Sequence, residues 1–217
     1  MQTRNLWWVG LYAVAMAYVE SSVVVYLRRL YGIGDLMLSV PPFDPHIAAI
    51  ELGRELATLI MLLAVGWAAG KTCQSRLGFA LFAFGLWDIF YYVWLRVFVH
   101  WPESPFDPDL LFLLPLPWWG PVIAPVLIAA LMSIGGALAV IQDDREHDIR
   151  LLPADWAALT AGILAMLYTF IQDALAVLPA NADALSQLRP TTFNWPIYLI
   201  GLALSSLVVW RIKVSGG

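Results

Sequence analysis

The sequence predicts an all-α fold: a polytopic membrane protein built as one bundle of six transmembrane helices, joined on one face by Pro- and Trp-rich loops. Three observations carry that expectation. The 217 residues are 61% hydrophobic and only 13% charged, where soluble domains run at about 45–50% apolar and about 25% charged. The excess is concentrated in runs of about 20 residues, the length that crosses a hydrocarbon core of about 30 Å. Tryptophan recurs near the ends of those runs, where an amphipathic ring meets the headgroup layer. Mean hydropathy is +0.75.

The six spans are read as Leu6–Leu27, Ile47–Ala69, Leu77–Val99, Trp119–Ile141, Pro153–Ala176 and Trp195–Trp210. Each must be a helix, because lipid offers no partner to an open backbone N–H or C=O. The polar gaps are too short for a separate soluble domain, so residues 1–217 form a single transmembrane domain. The first span has the look of a secretory leader, with Arg4, an apolar run and Ala15-Met16-Ala17. Apolar sequence continues to Leu27, so it is read as a retained helix.

An even number of spans brings both termini to one face, called the terminal face below; the other is the distal face. Arg4, Lys71, Arg76, Arg145, Arg150, Arg211 and Lys213 fall on the terminal face, against Arg28, Arg29 and Arg189 on the distal one. Positive residues stay with the cytoplasm. The terminal face is therefore expected to be cytoplasmic and the distal face periplasmic. Trp7, Trp8, Trp67, Trp156 and Trp210 form the belt on the terminal side; Trp94, Trp101, Trp118, Trp119 and Trp195 form the distal one. On the distal face, "DPDLLFLLP" is expected to be a short interfacial helix with Asp107 as its N-cap. Pro121 fits the opening turn of the fourth span, while Pro125 is expected to kink it.

The ionisable residues inside the spans carry the functional signal. Glu20, Glu51, Arg54, Glu55, Asp88, Arg96 and Asp173 all fall in the distal half or at the midplane, and the terminal half is expected to hold none. In "ELGREL", Glu51, Arg54 and Glu55 share one helix face that continues to Thr58. In "WDIFYYVWLR", Asp88, Tyr91, Tyr92 and Arg96 form one stripe. A charge at the bilayer centre costs at least about 2.5–3.5 kcal/mol, so such groups face the bundle interior and pair with one another. Five acids against two arginines leave an excess of negative charge. Three outlets exist: protonation of some acids, a bound cation, or entry of water. They correspond to proton transfer, divalent-metal chemistry, and a ligand pocket or permeation path.

On this reading Glu51, Glu55, Asp88 and Arg54 are the candidate catalytic residues, with Arg96, Tyr91 and Tyr92 binding a ligand. Glu20, Glu51, Glu55, Asp88 and Asp173 are the candidate metal ligands; His46 and His100, at distal helix ends, are weaker ones. A carboxylate-rich set suits a hard divalent cation such as Mg²⁺, Mn²⁺ or Ca²⁺, or iron. The substrate would be soluble in the membrane, and the chemistry acid–base or metal-assisted. The alternatives are an accessory subunit of a larger membrane complex and a small ion or solute transporter. Poorly matched halves speak against an inverted-repeat transporter.

Other classes drop out. A net charge of −4 leaves no basic face for nucleic acid. One cysteine, Cys73, excludes an intrachain disulfide and a Cys-based metal cluster. No phosphate loop, G-x-S-x-G elbow or H-E-x-x-H motif occurs. Finally, "YVESSVVVYLRRLYG", "ELGREL…TLIMLL" and "FAFGLWDIFYYVWL…WP" resemble a group of uncharacterised bacterial six-span inner-membrane proteins. That resemblance implies a bacterial inner-membrane setting and no particular reaction; the expected partner is the lipid bilayer, joined by other membrane subunits on the accessory-subunit alternative.

Overall fold

The computed structural model describes residues 2–30, 45–112, 118–176 and 192–215. Six long helices account for most of them: α1 (Asn5–Leu30), α2 (Pro45–Ala69), α3 (Cys73–Val99), α4 (Ile123–Asp144), α5 (Pro153–Ala176) and α6 (Trp195–Ser215). A short 3-10 turn, Gln2–Arg4, precedes α1. Five of the helices are long and apolar enough to cross a membrane: Gln2–Leu27, Cys73–Val99, Ile123–Asp144, Pro153–Ala176 and Trp195–Ile212. α2 is not among them; it carries Glu51, Arg54 and Glu55 in its first half. Residues 31–44 and 177–191, which the sequence reading places in distal connections and which include Arg189, lie outside the described residues.

Helix ends follow local chemistry. α2 and α5 open on proline, whose missing N–H is one the first turn leaves unpaired in any case. α3 opens on a capping box: Ser75 N donates to Thr72 Oγ1 at 3.1 Å, and Thr72 N donates to Ser75 Oγ at 3.0 Å. It closes on His100, which adopts a left-handed conformation (φ 59°) and donates its N–H to the Arg96 carbonyl. Pro125 does not kink α4. The helix begins at Ile123, so Pro125 sits in the first turn and removes no intrahelical bond.

The expected interfacial helix is instead a strand. Pro108–Phe112 (β1) pairs antiparallel with Trp118–Pro121 (β2), with Asp109 opposite Gly120 and Leu110 opposite Trp119. Proline on both sides of this segment and the β-propensity of its aromatic residues favour an extended chain. Asp107 caps the turn before it, accepting from Glu103 N at 2.7 Å and Ser104 N at 3.1 Å. Trp119, expected to open the fourth span, belongs to β2.

α3 is the central helix and packs on α1, α2 and α4. Two of these contacts are backbone-close. A Cβ on Gly85 would stand 2.2 Å from the Ala129 carbonyl oxygen of α4, and one on Gly66 of α2 would stand 2.6 Å from Ala80 N. Small residues at such crossings let helices approach where lipid supplies no hydrophobic drive. α5 pairs with α6, and that pair meets the rest through β2 and α4. One core cluster therefore joins α1–α4 around Ala13, Leu62, Phe79 and Trp87, and a second joins Ala124 to Met166, Phe170 and Tyr198.

Polar contacts stitch the terminal face. Gln2 donates through its backbone to Asp144 Oδ1 at 2.9 Å and through Nε2 to Asp143 Oδ2 at 2.7 Å, and its Oε1 accepts from Lys71 N at 3.1 Å. Gln74 Nε2 donates to the carbonyls of Ala139 and His147 at 3.1 Å. Asn5 reaches the Ala69 carbonyl at 3.2 Å, and Gln142 reaches that of Ile212 at 3.4 Å. These contacts bring the start of α1, the α2–α3 turn, the end of α4 and the end of α6 to one level. Trp7, Trp8, Trp67, Trp156 and Trp210 are exposed there.

Candidate functional site

A cavity of about 750 Å³ lies between the α1–α4 group and the α5–α6 pair. Its distal end is lined by Glu20, Glu51, Arg54, Glu55 and Asp88. Tyr91, Tyr92 and Thr58 lie among them. These residues come from three helices: Glu20 from α1, the "ELGREL" face and Thr58 from α2, and Asp88 with its tyrosines from α3. The helical spacing that grouped them in the sequence is the spacing that turns them to one side here.

Within that end the groups fall into two networks. Arg54 donates to Glu20 and Glu51, the latter through Nε at 2.9 Å as well as Nη2, so one guanidinium ties α1 to α2. Thr58 Oγ1 donates to the other Glu20 oxygen at 3.2 Å. The second network was not visible in the sequence. Tyr92 Oη donates at 2.9 Å to Asp109 of β1, and both residues are buried. Asp109 lay outside every predicted span, in a segment assigned to an interfacial helix. Its one signal was its place beside a proline in an otherwise apolar run. Counting Asp109, the cavity faces five carboxylates and one guanidinium among the described residues.

Several expected members lie elsewhere. Arg96 is exposed and caps the end of α3, donating to the carbonyls of His100 and Pro102. Arg96 lies within reach of the carbonyls that the end of α3 leaves open, and its guanidinium is taken up there. Asp173 lines a separate cavity of about 290 Å³ with Thr169, Gln172, Trp119, Phe193 and Trp195. β2 lies between it and the main cavity: Trp118 faces one and Trp119 the other. His46 and His100 are exposed and line neither. Nor is the terminal half free of ionisable groups. Asp155, in the first turn of α5, is buried, accepts from Leu152 N at 2.9 Å and pairs with Arg211. That pair is a helix-capping contact between α5 and α6.

The divalent-cation expectation finds no support among the described residues. Among the described residues no three His, Cys, Asp or Glu side chains are grouped as a metal site requires. Two of the five expected ligands, Glu20 and Glu51, are committed to Arg54, and Asp173 is in another cavity.

Away from its polar end the cavity is apolar. Leu81 of α3, Met132 of α4, Leu159 and Ile163 of α5 and Val209 of α6 line it, down to Trp156 and Ile212 near the terminal face. The arrangement is an amphipathic cleft: acids, phenols and a guanidinium at one end, hydrocarbon along the rest. Comparison with protein-family models, with curated proteins and with solved structures gives no match.

Proposed function

We propose that this chain is a six-span protein of the bacterial inner membrane that takes up a membrane-soluble amphiphile from the side and holds it against an acid–base site in the periplasmic half of the bilayer. α2 is the sixth span. Its 25 residues reach from the distal network at Glu51 to the terminal contact at Ala69, and a charged residue in lipid is tolerated where it faces a bundle interior. The bias of Lys and Arg supports a cytoplasmic terminal face with both termini on it.

The observation that carries the reading is the polarity of the cleft. Its ionisable residues sit at one end and its remaining length is hydrocarbon-lined. A volume of about 750 Å³ falls in the range of small-molecule sites, about 300–1,000 Å³. In this assignment Asp88, Glu51 and Glu55 accept or donate protons, Arg54 orients Glu20 and Glu51, and Tyr91 and Tyr92 supply hydroxyls. An accessory subunit would turn its acids outward to a partner; these acids face a cavity within the chain itself, which favours the site reading.

The test is to purify the protein in a mild detergent, extract what co-purifies and identify it by mass spectrometry. Wild type is expected to retain about one amphiphile per chain, and the Glu51→Gln, Asp88→Asn variant to lose it while melting cooperatively. The same bulk-lipid mixture at the same stoichiometry in both proteins refutes the proposal.

A further inference from the structure

Resting on the cleft just proposed, we infer that the β1–β2 ribbon is a gate over its distal end, latched by the hydrogen bond from Tyr92 to Asp109. Latched, it shuts the acids off from periplasmic water and leaves the bilayer as the way in.

The ribbon reaches both helix groups. Asp109, Leu110 and Leu111 of β1 and Trp118 of β2 line the cleft together with Tyr91 and Tyr92 of its polar end. The base of the ribbon is tied to the start of α4: Val122 N donates to the Asp107 carbonyl at 3.0 Å and Ile123 N to that of Pro105 at 2.8 Å. On the α5 side Trp118 stacks on Phe170, with ring centroids 6.5 Å and planes 17° apart. Gly120 packs so closely there that a Cβ would stand 2.5 Å from the same ring. On the α3 side Tyr92 Oη donates to Asp109 Oδ2 at 2.9 Å, and both residues are buried. α3 and α5 stand in different helix groups, so the ribbon bridges the gap that the cleft occupies.

These ties differ in kind. The base is backbone hydrogen bonding beside a helix start, and the α5 contact is close packing on a ring. The α3 tie is a side-chain hydrogen bond, which a small shift of the phenol breaks. Strands of five and four residues make a ribbon that is marginal without support, so its position follows its anchors. Releasing Tyr92 lets the ribbon swing away from α3 with α5, about its base at α4. Closure has a chemical consequence for the site beneath. Away from bulk water the hydrogen bonds and charge interactions of Glu51, Glu55 and Asp88 are stronger, and an amphiphile that arrives through lipid brings no bulk water with it.

Thiol labelling tests the gate. In a Cys73→Ser background, Ile128→Cys puts a thiol on the α4 wall of the cleft, about one turn below Pro125. Glu103→Cys marks the exposed distal loop, and Ala13→Cys the buried core of α1–α4. A sulfonated maleimide, which does not cross lipid, is added to proteoliposomes of the full chain, and labelling rates are read by mass spectrometry. Ile128→Cys is expected to react at least about tenfold more slowly than Glu103→Cys. Adding Tyr92→Phe should raise the Ile128→Cys rate about tenfold, the factor one hydrogen bond to a carboxylate carries. The Glu103→Cys and Ala13→Cys rates should not move. A cleft thiol as reactive as the loop thiol with Tyr92 in place, or no acceleration by Tyr92→Phe, overturns the gate. So does equal acceleration at Ala13→Cys, which would mean general unfolding. None of these rates depends on which amphiphile co-purifies. If the gate behaves as expected while the bound lipid is unselected, the uptake proposal falls and the gate stands; if the lipid is selected and the rates fail, the gate alone falls.

Discussion

Arg54→Met is the perturbation from which most can be learned about the distal end. The substitution keeps an unbranched side chain on α2 and removes the donors that hold Glu20 and Glu51. The three side chains are 21%, 11% and 14% exposed. Breaking a fully buried ion pair costs about 3–5 kcal/mol, and breaking a fully exposed one costs about 0–1 kcal/mol. With exposures of a tenth to a fifth the network lies nearer the buried limit, so a loss of about 2–4 kcal/mol is expected. The cost should come from two acids left without a counter-charge, since Thr58 still donates to Glu20. Neutralising those acids should therefore return it. The triple variant Glu20→Gln, Glu51→Gln, Arg54→Met is expected to fall within about 1 kcal/mol of wild type, as uncharged replacements of buried ion networks generally do. Reversible unfolding in mixed micelles, driven by a rising fraction of denaturing detergent, gives both values. A single-variant loss below about 1 kcal/mol, or a triple variant no more stable than the single, would refute the reasoning.

The same assay checks two further sites. Tyr92→Phe keeps the ring and deletes the hydroxyl that donates to Asp109, leaving a buried acceptor short of one partner. A loss of about 1–3 kcal/mol is expected, and an unchanged midpoint would show that the contact carries no stability. Gly85→Ala and Gly53→Ala form a matched pair. The first drives a methyl to 2.2 Å from the Ala129 carbonyl and should cost about 1–3 kcal/mol or more by separating α3 from α4. The second, with nothing within 4 Å, should stabilise α2 by about 0.5–1 kcal/mol. Equal effects at the two positions would mean that the α3–α4 approach is not set by Gly85.

The parts legible in the sequence were those governed by one-dimensional rules. Hydrophobic length placed the helices, and α5 was bounded as observed because Pro153 opens it. Helical spacing put Glu51, Arg54 and Glu55 on one face and Asp88 with Tyr92 on another, and both faces meet at the cavity. What could not be read were the places where a chain leaves its helix. Arg96 has the right spacing to join Asp88, yet it lies within reach of the carbonyls that the end of α3 exposes, and it takes those. Asp109 enters the site on a strand, and no helical periodicity could place it there. Asp173 lines a different cavity: β2 packs on α5 through Gly120, where a Cβ would lie 2.5 Å from Phe170, and Phe170 lines the main cavity while Gly120 and Asp173 line the smaller one.

The cleft follows from how the two helix groups are joined. α3–α4 and α5–α6 are each fused along their length by small residues: Gly85 against Ala129, and Gly162 and Gly201 against each other's carbonyls, where a Cβ would lie at 2.7 and 2.6 Å. Between the groups the polar ties lie toward the ends. Tyr198 Oη donates to the Ala124 carbonyl at 2.7 Å near the distal face, and Gln142 reaches Ile212 at the terminal one. Along the middle, a Cβ on Gly135 would meet only the Val209 side chain, at 3.3 Å, and no backbone atom of α6, and larger apolar side chains line the gap. In water such a gap would close to hide its hydrocarbon. In a bilayer no such force exists, because lipid tails are as apolar as leucine. A groove held at both ends and unforced in the middle is what the proposed uptake of an amphiphile from the bilayer requires.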